Sequence, residues 1–249
     1  MSSFRKRMQD SSSRSSVILA NDLDGTNLEL LEKYTLKNIK TLGKYLCAIK
    51  FNFHLLLPLG EKSIKRINKI AHDSGLQTIA DIKLNDIGNT NMITLQRLWH
   101  SEFDAVIANP IMGPENLVQL VKNAHSDSHG VITLVHMSHP GAKLGYGLKV
   151  QDPSSGKMSN IHDLFLKWSY SSHVDGIVVG ATVPKLIELS ARKAKGKFEI
   201  YSPGVGTQGG NPNDALSAGA NYLIVGRTIL NSKNPQLEAQ KLQELTLGS

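Results

Sequence analysis

The sequence predicts a single-domain (β/α)8 barrel, a TIM barrel, and three observations carry that expectation. Eight short apolar strand patterns recur along the 249 residues, each followed by a helical pattern. Repeated strand–helix alternation implies a parallel sheet, and eight repeats in a chain of about 250 residues match a closed barrel. No linker or break in composition divides the chain. The nearest alternative, a doubly wound open sheet, is disfavoured because no G-x-G-x-x-G follows the first strand.

The elements follow in order. Val17–Asp22 (VILAND) is a short apolar run ending in polar residues, and 26–42 carries Leu28, Leu31, Leu36, Ile39 and Leu42 at helical spacing. Leu46–Asn52 is the second strand, with Lys50 inside it. The helix expected over 60–74 has Gly75 placed to cap its C-terminus. Leu76–Lys83 is the third strand, 88–101 a helix, Phe103–Asn109 the fourth strand and 113–125 a helix. Val131–Met137, the fifth strand, runs into MSHPGA. Then come helix 160–172, strand Gly176–Ala181, helix Val183–Lys195, strand Phe198–Val205, short helix Asn213–Ala218, strand Tyr222–Arg227 and a last helix, Lys233–Leu247. The connection Pro140–Asn160 holds four Gly and two Pro without clear periodicity. Its length predicts a partly mobile loop at the barrel mouth.

Composition sets the bounds. Hydrophobic content of 40% and charged content of 20% are those of a globular protein, and no apolar run reaches the length of a membrane span. The first sixteen residues, MSSFRKRMQDSSSRSS, are basic and Ser-rich without an apolar centre, so they are no secretory signal. Residues 1–15 read as a flexible tail or an added first helix, with the barrel over 16–249. The lone Cys47 lies in an apolar strand, fits a reducing cytoplasmic compartment and reads as a buried filler. The net charge of +7 is spread over many segments with few interleaved aromatics. That excludes nucleic acid as the main partner and suits an anionic small substrate.

Barrel chemistry lies at the C-terminal strand ends, and polar residues are concentrated there. Strand one offers Asp22 and Asp24, strand two Lys50, and strand three Asp81, Lys83 and Asp86. Strand five offers His136, Ser138 and His139, and strand eight Gly226 and Arg227. Alternation places Asp81 and Lys83 on one face with Ile82 opposite. A buried Asp and Lys there must neutralise each other; on D-I-K alone, a structural ion pair is the plainer explanation. After strand seven, Pro203-Gly204-Val205-Gly206-Thr207-Gln208-Gly209-Gly210 carries four glycines that free backbone amides for an anion. Arg227 adds a guanidinium suited to phosphate. Strands seven and eight are where this fold grips phosphate, so a phosphomonoester ligand is expected.

The run from Thr78 to Asn91, TIADIKLNDIGNTN, resembles the D-x-K-x-x-D-I-G/P-x-T signature of the orotidine 5'-phosphate decarboxylase family. ILAND, AIKFN, MSHPGA, SPGVGTQGG and IVGRT extend the resemblance from Val17 to the last helix, in the shorter, archaeal-like form. The resemblance implies conversion of orotidine 5'-phosphate to UMP and CO2 with no metal and no organic cofactor. Lys50, Asp81, Lys83 and Asp86 would form an alternating charge array, with Lys83 donating a proton to pyrimidine C6. Asp22 and Lys50 would hold the ribose hydroxyls, Ser138 the pyrimidine edge, and Gln208 and Arg227 the phosphate. Backbone from Pro203, Gly204, Val205, Gly206, Gly209 and Gly226 would line the phosphate end. Asp86, Ile87 and Thr90 would come from the partner of a homodimer with shared sites. Asp22 is taken over Asp24 because it directly follows ILAN, leaving Asp24 as a surface or capping residue.

Two other readings share part of the pattern. A Mg2+-dependent sugar-phosphate decarboxylase or aldolase of the same superfamily also carries D-x-K-x-x-D, but has a Glu metal ligand where this chain has the cation Lys50. A non-catalytic nucleotide-binding barrel would be expected to have lost one of the four charges. His125/His129 and His136/His139 have spacings seen at metal sites. The first pair lies in a polar helix-end stretch and the second lacks a third ligand, so no metal is expected.

Overall fold

Runs of Val, Ile, Leu and Ala make the strands, and Asn and Pro set many of the helix starts. The structure is a computed structural model that describes residues 3–248. Its strands are β1 (Val17–Ala20), β2 (Ala48–Asn52), β3 (Gln77–Leu84), β4 (Ala105–Ala108), β5 (Gly130–His136), β6 (Lys149–Gln151), β7 (Met158–Asn160), β8 (Gly176–Val179), β9 (Glu199–Pro203) and β10 (Tyr222–Val225). All but β6 and β7 close into one barrel in the order β1-β10-β9-β8-β5-β4-β3-β2, every pairing parallel. The eight expected barrel strands are all present.

Asn27 opens the helix Leu28–Leu42 by accepting the Leu30 amide at 3.1 Å, as N-cap side chains do. Asp24, which the sequence left as a surface or capping residue, is exposed and is not the cap. Pro114, Pro184 and Pro235 each stand in a first helical turn, where a missing N–H costs nothing. Gly75 follows the helix Glu61–Asp73 at φ +74°, a left-handed turn that favours glycine.

Strand alternation produces two apolar layers. Val17, Leu19, Ile49, Phe51, Leu223 and Val225 face the outer helices. Ile18, Ala20, Ala48, Ile79, Tyr222 and Ile224 fill the barrel interior. The inward row continues upward from Ala48 to Lys50 and from Ile79 to Asp81, which is how a period of two delivers charges to the mouth.

Two expectations change. Of the two readings of 1–15, the flexible tail gives way to the added first helix, which for the described residues is Ser3–Ser12; residues 1 and 2 lie outside the described residues. Phe4 and Met8 are fully buried in the barrel-interior cluster, and Arg5 reaches Glu199 at 2.8 Å. Gly130 makes room, since a Cβ there would overlap the Phe4 ring. The tail reading missed this because Arg, Lys, Gln and Ser outnumber the two anchors. Second, the stretch 140–160, expected as a loop, holds a short helix, Ala142–Tyr146, and the antiparallel hairpin β6–β7. Asp152 pins the hairpin, accepting from Lys167 Nζ at 2.8 Å and from the Ser154 amide at 2.9 Å.

Candidate active site

Four side chains, Asp22, Lys50, Asp81 and Lys83, form a continuous ionic chain at the barrel mouth. Lys50 Nζ lies 2.7 Å from Asp81 Oδ2 and 3.4 Å from Asp22 Oδ1, and Lys83 Nζ lies 2.9 Å from Asp81 Oδ1. Lys50 is 5% exposed and Asp81 7%. Burial works against the Lys50 ammonium, but Asp81 and then Asp22 outweigh it, so its pKa stands above the ordinary lysine value. Burial likewise opposes the Asp81 carboxylate, and Lys50 and Lys83 together hold its pKa below the ordinary value. Each charge is thus kept ionised by its neighbours.

Alternation explains Asp81 but not the aim of Lys83. Ala80 pairs with Val106 and Leu84 with Ala108. Four steps along β3 (84 − 80) therefore oppose two along β4 (108 − 106), and β3 carries two extra residues. Lys83 sits in this bulge at φ +49°, a left-handed conformation that non-glycine residues rarely take. Bulges re-aim side chains next to active sites, and here the result is an ammonium directed at Asp81.

The opposite wall comes from β9 and β10. A cavity of about 320 Å³ is lined by Asp22, Lys50, Asp81, Lys83, Ser138, Pro203, Gly204, Val205, Gln208, Gly226 and Arg227, so the structure brings these predicted residues together. Gly206 and Gly209 lie in the same loop without lining the cavity. Gly204 has φ +92°, and a Cβ there would overlap the Ser138 side chain, so glycine permits the loop to meet the end of β5. Ser138 Oγ donates to Gln208 Oε1 across that junction. The expectation that the loop's glycine amides are free is corrected for three of the four. The amides of Gly206, Gly209 and Gly210 bond to Gly210, Gly206 and Gly204 carbonyls at 2.8, 2.7 and 3.0 Å. Arg227 is not at a strand end either: β10 stops at Val225, and Arg227 opens a short helix, Arg227–Leu230.

Asp86, Ile87 and Thr90 do not line their own chain's cavity. All three are exposed, Ile87 at 63%, and Asp86 Oδ1 accepts the Ile87 amide at 2.8 Å.

Sequence reasoning missed several groups. Asn52, Met137 and Thr228 also line the cavity, as do His139 and Thr207, which the sequence placed at strand ends without giving them a role. Thr228 braces the glycine loop: its Oγ1 donates to the Val205 carbonyl at 3.0 Å and accepts the Thr207 amide at 3.3 Å. The hydroxyl directly after Arg227 was the available signal. The histidine pairs have other partners. His125 Nε2 is 3.0 Å from Asp175, His129 stacks on Trp99 at 4.0 Å, and His136 packs against Tyr146 and His162. Among the described residues no group of three His, Cys, Asp or Glu side chains could hold a metal, and no helix is long and apolar enough to cross a membrane. Cys47 is fully buried, and burial pushes its thiol pKa up to about 12.

The chain is similar to known proteins in sequence and fold. The chain is 32% identical over 213 residues to an orotidine 5'-phosphate decarboxylase of Pyrococcus horikoshii, an alignment spanning 86% of this chain and 93% of that one. A crystal structure of orotidine 5'-monophosphate decarboxylase from Methanocaldococcus jannaschii, complexed with inhibitor BMP, superposes with a TM-score of 0.77 at 30% identity, covering 94% of this chain and 99% of that one. The Leishmania donovani OMP decarboxylase shares the fold, with a TM-score of 0.83 at 20% identity over 100% of this chain and 98% of that one. The family profile described as "Orotidine 5'-phosphate decarboxylase / HUMPS family" matches residues 15–242, and the chain belongs to that family.

Proposed function

We propose that this chain is a carbon–carbon lyase that decarboxylates orotidine 5'-phosphate to UMP and CO2, in pyrimidine nucleotide synthesis, without a metal or an organic cofactor. The observation that carries the reading is the Lys50–Asp81–Lys83 chain, with its 2.7 and 2.9 Å contacts, in one cavity with Gln208 and Arg227. Loss of CO2 leaves a carbanion in the plane of the pyrimidine ring, where the π-system cannot delocalise it directly. An ammonium already oriented toward that carbon stabilises the developing charge and then supplies the proton. Lys83 has that role in this reading, and Asp81 orders both lysines.

The remaining groups divide by distance from the reacting carbon. Asp22 and Lys50 hold the ribose hydroxyls, and Ser138 bonds the pyrimidine edge. Gln208 and Arg227 take the phosphate, with the backbone of Pro203, Gly204, Val205 and Gly226 around it and Gly206 and Gly209 shaping the loop behind. Binding energy from the phosphate keeps the loop shut over the ring. A homodimer completes each site: Asp86, Ile87 and Thr90 project from one protomer toward the other's cavity, which accounts for their exposure in the single chain. A cytoplasmic location fits a lone, buried Cys47. A direct spectrophotometric assay with orotidine 5'-phosphate, with and without a chelator, tests the proposal. Turnover unaffected by the chelator is expected. No turnover, or turnover that requires Mg2+, would overturn it.

A further inference from the structure

The turn that carries Asp86 is tethered from inside the protein by one side chain, Asn91. Asp86 is exposed, and among the described residues its carboxylate bonds only to the neighbouring Ile87 amide, at 2.8 Å. The helix that follows, Gly88–His100, gives the turn no capping side chain, since its N-cap Ile87 makes no such bond. Asn91 supplies the missing restraint. It is 4% exposed, and its Nδ2 donates to the Asp86 carbonyl at 2.5 Å and to the Met112 sulfur at 3.6 Å. Turning the amide over would set two carbonyl oxygens against each other, so the hydrogen-bond partners fix its orientation. The Asn91 Oδ1 is buried with no hydrogen-bond partner among the described residues. A buried amide oxygen without a partner opposes folding, and an apolar side chain of the same shape avoids that penalty. Packing alone therefore does not call for an amide at this place, whereas holding the Asp86 backbone does.

We infer that Asn91 is a positioning residue: it fixes the Asp86 backbone so that the carboxylate is presented to the neighbouring protomer's cavity. The inference deepens the proposed shared site and rests on it. A carboxylate delivered across a subunit boundary has no strand of its own to aim it. A displacement of about 1 Å at such a group can reduce the rate by around a hundredfold.

The test compares Lys83→Ala, Asp86→Ala and Asn91→Leu, with Asn91→Asp as a near-isosteric second variant should the leucine protein not fold. The Asn91 variant is expected to lower kcat about tenfold or more with KM changed less. Pairwise mixing under subunit exchange then assigns the lesion to one side of the boundary. Asn91→Leu mixed with Lys83→Ala should regain activity, because about a quarter of all pockets then combine an intact Lys83 with an intact Asn91 and Asp86. Asn91→Leu mixed with Asp86→Ala should regain none, because both lesions fall on the delivered segment. Wild-type rates in both Asn91 variants would overturn the inference. So would recovery with Asp86→Ala, or no recovery with Lys83→Ala while the control pair Lys83→Ala and Asp86→Ala does recover. Failure of that control pair, with exchange confirmed, would remove the shared site itself and the positioning role with it.

Discussion

Asp81 holds two ammonium groups at once, and this makes its loss different in kind from the loss of either lysine. Without it, Lys50 stays 5% exposed with only Asp22 nearby, at 3.4 Å. Leaving one member of a buried ion pair uncompensated costs about 3–5 kcal/mol. Asp81→Ala should therefore lower stability by about that amount as well as abolish turnover. Lys83→Ala, at a side chain 34% exposed, should leave stability nearly unchanged; denaturant unfolding of the two variants checks this. At the other wall, Arg227→Ala and Gln208→Ala should weaken a phosphorylated substrate far more than its unphosphorylated nucleoside. Equal losses toward orotidine and its 5'-phosphate in kinetic assays would place the phosphate elsewhere.

Among the elements, the N-terminal helix Ser3–Ser12 closes the barrel end opposite the charged mouth. Phe4→Ala should destabilise the protein by about 3–5 kcal/mol, as large-to-small changes at buried aromatic positions do, with kcat preserved in the folded fraction; thermal unfolding and single-point assays measure both. The same end holds a charged cluster. Asp104 accepts from His72 Nε2 at 2.8 Å, the Thr78 amide at 2.8 Å and Arg7 at 3.0 Å. The hydrogen bond to Asp104 is the main cause that raises the His72 pKa above its ordinary 6.5. A raised folded-state pKa means that the protonated form stabilises the fold. This contribution is full below the unfolded value and is lost as pH rises through the folded one. His72→Gln should thus lie furthest below wild type in Tm at acidic pH, with the gap narrowing as the solution is made alkaline. A constant gap would contradict the assignment. The helix itself was barely legible, because two buried anchors at i and i+4 are diluted by eight mostly polar residues. The hairpin β6–β7 was hidden for a related reason: three-residue strands leave no periodicity to count.

For the whole molecule, the barrel was legible because eight apolar runs alternate with helical ones, and the mouth because polar residues follow those runs. Asp22, Lys50, Asp81 and Ser138 lie in one cavity with Gln208 and Arg227, which come from the segments after β9 and β10. What the sequence did not disclose are departures from regular geometry. The two-residue bulge that puts Lys83 at φ +49° depends on pairing with β4, which no local pattern records. The bracing of the glycine loop by Thr228 is likewise a contact between separate strands' loops. Asp86 stands apart, outside the cavity of the chain that carries it, and it is the proposed homodimer that would bring it to a site. In the proposed reaction Lys83 is the group that stabilises and protonates the carbanion. The most direct measurement is turnover of orotidine 5'-phosphate by Lys83→Ala, alongside UMP binding by the same protein. Turnover should vanish while UMP affinity is largely kept. Retention of about a tenth of the rate, a barrier increase of only about 1.4 kcal/mol, would contradict it.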